Sequence, residues 1–155
     1  MNFSYSLTEI NKASKFIFEN INGKIILFQG NLGSGKTTLI KNLCSELGLT
    51  ENVSSPTFPI LNIYGNRKNK IYHADLYRIE NLNDLNEIGF FDIVNTNDWV
   101  FVEWPTKIIE LIDKPFSIIN IEIEKNDSRK LELKNKWVLE GGLLIIFLAY
   151  QSDAW

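Results

Sequence analysis

Between an apolar run and an amphipathic pattern the chain carries Gly30-Asn31-Leu32-Gly33-Ser34-Gly35-Lys36-Thr37, which matches G-x-x-x-x-G-K-[ST] at every fixed position. The run before it, Lys24 to Gln29, is short, apolar and bounded by glycines, as a strand buried on both faces requires. After it, Leu39, Ile40, Leu43, Cys44 and Leu47 recur at helical spacing, and Gly48 ends the pattern. Strand, glycine-rich turn and helix in this order restrict the fold sharply. The turn lets successive backbone N–H groups converge on an anion, and the positive end of the helix faces the same point. Lys36 adds a point charge for β- and γ-phosphates, and the Thr37 hydroxyl suits magnesium. A nucleoside triphosphate with magnesium is the expected ligand.

Periodicity supplies the surroundings. Ser6 to Asn20 reads as a helix with Leu7, Ile10, Ala13, Phe16 and Ile17 on one face and Thr8 as a candidate cap. Ile60 to Tyr64 and Ile71 to Leu76 read as a hairpin around the polar loop Gly65 to Lys70. Leu82 to Ile88 is an expected short helix ended by Gly89, and Pro105 to Ile112 an expected further helix. Trp99 to Val102 is a compact apolar strand ending at Glu103. Ile119, Ile121 and Ile123, then Lys130 to Lys136, alternate as antiparallel strands exposed on one face would. The apolar stretch Leu143 to Tyr150 is far shorter than the ~20 residues of a membrane-spanning helix and reads as a buried strand. The expected fold class is α/β: a P-loop NTPase-type, mainly parallel central sheet flanked by helices, with antiparallel strands toward the C-terminus. With 155 residues, one domain is expected, residues 1–134 forming its nucleotide-hydrolysing body and 135–155 a C-terminal strand or tail.

A net charge of −3 gives the surface no general positive field for nucleic acid, so RNA contact is expected to be local or made through a partner. Arg67-Lys68-Asn69-Lys70 is the one basic loop that invites it. The lone cysteine, Cys44, excludes an internal disulfide and suits a reducing cytosol, and the N-terminus lacks the pattern of a secretory signal, so a cytoplasmic location is expected. Asn135-Lys136-Trp137-Val138 lacks the aspartate of a guanine-reading Asn-Lys-x-Asp motif, and no Arg-rich lid suggests a kinase.

A phosphate loop needs a strand-end acid for the metal and a second group to orient water. Glu103 and Asp75 both end apparent strands. His73 shares the face of Asp75 and is open to a catalytic or a hydrogen-bonding role, while Trp104 either covers the nucleotide or fills a gap.

Four segments in order, the loop through Thr38, Ser55-Pro56-Thr57-Phe58, His73-Ala74-Asp75-Leu76-Tyr77-Arg78 and Val102-Glu103-Trp104-Pro105, resemble the TsaE family of bacterial ATPases over about Ser6 to Leu133. The resemblance implies ATP and Mg2+ as ligands, support of threonylcarbamoyladenosine formation in tRNA, and TsaB and TsaD as partners, with tRNA reached through that complex. By the same resemblance Gly33, Ser34, Gly35, Lys36, Thr37 and Thr38 hold the nucleotide, Thr37 and Glu103 the metal, and Asp75 serves hydrolysis. Thr57 matches a switch-like threonine that senses the γ-phosphate; Thr8 and Arg129 match outlying nucleotide contacts. Ala74 replaces a residue that is usually aromatic in the family. A slow, partner-dependent ATPase is expected, the alternatives being an ATP-binding regulatory module with negligible turnover or a small kinase.

Overall fold

The computed structural model describes residues 1–56, 59–66, 69–138 and 144–146. Eight strands form one sheet: β1 (Asn2–Tyr5), β2 (Ile25–Gln29), β3 (Leu61–Gly65), β4 (Lys70–Asp75), β5 (Trp99–Glu103), β6 (Phe116–Ile123), β7 (Arg129–Val138) and β8 (Leu144–Ile146). Their order is β1-β7-β6-β2-β5-β4-β3, with β8 also on β7. The four central strands β6, β2, β5 and β4 run parallel, while β7, β1, β8 and β3 add on antiparallel. The expected class, parallel in the middle and antiparallel toward the C-terminus, is thus met, and the β3–β4 hairpin forms as expected.

The helices are α1 (Ile10–Asn20), α2 (Lys36–Glu46), α3 (Leu82–Glu87) and α4 (Phe90–Val94). Alternation along each strand assigns the two faces. Ile26, Phe28, Ile71, Phe101, Ile119 and Ile121 pack with Ala13, Ile17, Leu39, Ile40, Leu43 and Cys44 beneath α1 and α2. Ile25, Leu27, Tyr72, Ala74, Val100 and Val102 pack with Leu85, Phe90, Val94 and Ile108 on the opposite side. Each fully buried aliphatic or aromatic side chain of this kind contributes ~1.5–3 kcal/mol of transfer free energy, so two apolar layers clamp the sheet.

Three expectations need correction. The first helix is capped by Ser6, not Thr8: the Glu9 carboxylate reaches back to the Ser6 N–H at 3.3 Å, a Ser-x-x-Glu capping box, and Thr8 lies inside a 3₁₀ turn, Leu7–Glu9, that leads into α1. Pro105 to Ile112 forms two 3₁₀ turns, Pro105–Lys107 and Ile109–Leu111, because the left-handed Trp104 (φ 57°) and Pro105 set a tight entry that no α-helix continues. β6 is buried on both faces at Phe116 to Ile119, since it lies inside the sheet between β2 and β7. β1 has no counterpart in the sequence reading; four residues carry too little alternation to announce a strand. In the expected strand Leu143 to Tyr150, Leu144–Ile146 pair with β7; residues 143 and 147–150 lie outside the described residues. Among the described residues no helix is long and apolar enough to cross a membrane.

Candidate functional site

The glycine-rich loop leaves the carboxyl end of β2 and enters α2 at Lys36, as its sequence requires. Gly30 has φ 140°, and a Cβ there would collide with the Ile121 carbonyl oxygen and lie 2.7 Å from Ser34 Oγ. Gly35 caps α2 at φ 101°, a conformation that costs a side-chain-bearing residue strain. Gly33 is exposed at the outer part of the turn, and Thr38 is exposed in the first turn of α2.

Lys36 is only 4% exposed, and its ammonium donates to the carbonyls of Gly30 (2.8 Å) and Asn31 (2.9 Å). It also lies 4.0 Å from the centroid of the Trp104 ring, a cation–π contact, so the indole covers the loop lysine. Tyr77 packs on the outside of Trp104 at 4.9 Å between centroids. Burial pushes the Lys36 pKa below its ordinary value, and the negative charges of Glu103 and then Asp75 pull it back. Both acids therefore act on the loop lysine.

Parallel pairing sets Asp75 beside Glu103 at the ends of β4 and β5. Glu103 is 3% exposed and accepts from the Thr37 hydroxyl on both oxygens, at 2.8 and 3.0 Å. His73 Nε2 lies 2.9 Å from Glu103 Oε1, so the hydrogen-bonding role left open by the sequence is the one the geometry supports. Asp75 accepts from Ser55 Oγ (3.1 Å) and from the Tyr77 N–H (3.0 Å). Ala74 faces the other side of the sheet, so the departure there leaves this cluster untouched.

Arg129 starts β7 opposite Tyr5 of β1 and is 7% exposed. A Cβ on Gly35 would come 3.9 Å from its Nε, which places the guanidinium against the loop, and Nη1 donates to the Asp127 carbonyl. Thr8 is exposed and shares a 2.8 Å hydrogen bond with Ser6; among the described residues no hydrogen bond links it to the loop. Thr57 lies outside the described residues, as do Arg67 and Lys68 of the basic loop.

The structure thus gathers Gly30 to Thr37, Asp75, Glu103 and Arg129, and adds His73, Ser55 and Trp104. His73 and Ser55 lie within segments that carry the resemblance, but neither is assigned a site role from the sequence. The period-2 spacing of His73 and Asp75 was the one available signal for His73, whereas Ser55 meets Asp75 only through the fold.

The donor set suits a phosphate group and a hard cation. Ser34 Oγ and Arg129 Nε are buried without a partner among the described residues, two unspent polar atoms beside the glycine cradle. Among the described residues no three His, Cys, Asp or Glu side chains cluster as a metal cage. A cavity of about 610 Å³, lined in part by Lys24, Lys70, Glu51, Asp98 and Trp99, lies at the amino ends of the parallel strands, away from these residues. Its charges balance, and the Lys24 ammonium is engaged by the Asn97 carbonyl at 2.8 Å.

The family described as "Threonylcarbamoyl adenosine biosynthesis protein TsaE" matches residues 4–132. The chain belongs to the TsaE family. The tRNA threonylcarbamoyladenosine biosynthesis protein TsaE of Rickettsia typhi is 34% identical over 133 residues, 83% of this chain and 90% of that protein. Its namesake in Borreliella burgdorferi is 35% identical over 106 residues, covering 68% of this chain and 77% of that one. The crystal structure of Bacillus subtilis YdiB superimposes with a TM-score of 0.64 at 26% identity, over 84% of this chain and 82% of that one. Family membership ties the chain to threonylcarbamoyladenosine biosynthesis in tRNA, and the gathered residues other than Arg129 come from the four segments that carry the resemblance.

Proposed function

We propose that this chain is a Mg2+-dependent ATP-binding protein and slow ATPase that assists TsaB and TsaD in the threonylcarbamoyl modification of tRNA adenosine. The observation that carries the reading is the hydrogen bond of Thr37, the loop hydroxyl, to Glu103, the buried strand-end acid. A loop hydroxyl beside an acid is the pair of oxygens a magnesium nucleotide requires from a P-loop NTPase. The loop N–H groups, Lys36 and Arg129 would bind and orient the phosphates, replacing the carbonyl contacts that Lys36 now makes. Magnesium would supply charge neutralisation on the phosphate oxygens. Asp75 is within the field of Lys36 and is the residue suited to orient the attacking water.

Slow turnover has its own support. Both Asp75 oxygens already accept a hydrogen bond from the chain, which holds the carboxylate in one orientation and suits it to positioning water more than to removing its proton. A module that binds ATP with negligible turnover is favoured by the same observation. The deciding experiment measures ATP binding by calorimetry and ATP hydrolysis with and without Mg2+, each with and without TsaB and TsaD. Magnesium-dependent binding with turnover raised by the partners is expected. Binding without turnover in any mixture selects the regulatory module; absence of ATP binding overturns both.

A further inference from the structure

We propose that His73 is a positioning residue that fixes the Glu103 carboxylate for the metal, an inference that rests on the magnesium reading of the site above. His73 is the chain's single histidine, is 0% exposed, and stands on β4 beneath α2, on the same sheet face as Asp75. Strand pairing sets His73 opposite Phe101, two residues before Glu103, so the imidazole approaches the carboxylate from within the core.

Glu103 as a carboxylate only accepts, and the imidazole nitrogen 2.9 Å from Oε1 must therefore donate, which assigns the Nε2–H tautomer. The other nitrogen, Nδ1, is buried with no partner among the described residues, a state that suits a bare nitrogen better than a stranded N–H. Tyr64 packs against the ring at 6.5 Å between centroids, with its hydroxyl donating to the Ser54 carbonyl at 2.9 Å, so the imidazole is confined by packing as well.

The consequence falls on the two oxygens of Glu103. Oε1 takes donors from both Thr37 (2.8 Å) and His73 (2.9 Å), whereas among the described residues Oε2 takes Thr37 alone, at 3.0 Å. The less engaged oxygen is thereby left to the cation side of the carboxylate, and rotation that turns the group away from this orientation costs the histidine bond. Partners of this kind, one step behind a metal ligand, change metal affinity by ~10–100-fold when removed.

The test uses the purified chain. His73→Met fills the volume without an N–H, and His73→Gln restores a donor. Calorimetric titration of ATP at a series of Mg2+ concentrations gives the magnesium midpoint, titration in chelator gives metal-free affinity, and thermal melting reports folding. His73→Met is expected to raise the magnesium midpoint at least tenfold with metal-free affinity unchanged within twofold, and His73→Gln to return it to within about threefold of wild type. An unchanged midpoint in folded His73→Met overturns the proposal. If His73→Met does not fold, nitrogen-15 NMR of the lone imidazole in wild type decides: a protonated Nε2 and bare Nδ1, perturbed by Glu103→Gln, is expected, and an Nδ1–H tautomer overturns it. Wild-type ATP binding that ignores Mg2+ altogether would instead remove the magnesium reading on which the proposal rests.

Discussion

The two halves of the site are built in opposite ways. Gly30 to Thr38 is one unbroken stretch of chain whose geometry follows from its own glycines and the helix it opens. The acidic half is assembled from β4 and β5, and its members meet only because those strands run parallel in a register that pairs Asp75 with Glu103. The first half offers mainly backbone donors and one ammonium; the second offers only side chains. Binding strength is therefore expected to reside in the loop, and turnover in the acids.

That division is open to attack from the loop side first. On the proposed reading Lys36→Ala leaves phosphate charge uncompensated in the loop, and truncating one partner of such a pair costs ~3–4 kcal/mol, on the order of 10²–10³-fold in ATP affinity. Calorimetry reads this directly, and near wild-type affinity in the variant would dissolve the distinction. Glu103→Gln attacks from the other side. The amide keeps the shape but loses the charge that Thr37 and His73 now serve, and a bond to a charged group is worth ~2 kcal/mol, roughly 30-fold in hydrolysis. Metal-free ATP affinity should move less than threefold. An equal loss in both would mean that the acid serves binding as much as the loop does.

Asp75→Asn sharpens the comparison within the acidic half. Thr37 and His73 bond to Glu103, whereas the Asp75 carboxylate holds Ser55 and the Tyr77 N–H. Unchanged ATP affinity with hydrolysis lowered about tenfold, ~1.4 kcal/mol of transition-state stabilisation, is expected in partner-stimulated single turnovers. Wild-type hydrolysis at saturating ATP would make Asp75 a structural acid and leave the chemistry to Glu103 or a partner.

How much of this was legible in the sequence follows the same division. The loop could be read residue by residue because a strand, its glycines and the start of a helix are local, and a local pattern needs no topology. Glu103 and Asp75 were visible as strand ends, but their adjacency was not, since β5 is placed between β2 and β4 by crossovers that no periodicity encodes. Arg129 was reached only through family likeness; its place against Gly35 depends on β7 turning back along β6 and pairing with β1, a strand the alternation was too short to reveal. The capping box Ser6-Leu7-Thr8-Glu9 is legible in the sequence, and a helix begun at Ser6 with Thr8 as a candidate cap overlooks it. The left-handed turn at Trp104 was beyond reach: aromatic residues rarely adopt it, and only the fold shows the indole lying over Lys36.

The smallest expected effect concerns Ser55, and it tests whether the acidic half is held from outside the sheet. Its hydroxyl donates to Asp75 Oδ2 at 3.1 Å, while the Asp75 N–H donates to the Ile60 carbonyl at 2.8 Å, so one residue of β4 fastens the chain on both sides of Pro56 to Pro59. Ser55→Ala removes one of these ties and leaves the carboxylate charge intact. A single hydrogen bond of this sort contributes ~0.7 kcal/mol, which is about threefold in turnover if the tie orients Asp75. ATP affinity should be unchanged, because the loop half is untouched. A drop as large as that of Asp75→Asn would transfer the water-orienting role to the Ser55 hydroxyl, and no change at all would show that Asp75 is held by the Tyr77 N–H alone. The double variant decides between additive and shared action: if Ser55 acts only through Asp75, Ser55→Ala adds nothing to Asp75→Asn, whereas independent action multiplies the two losses.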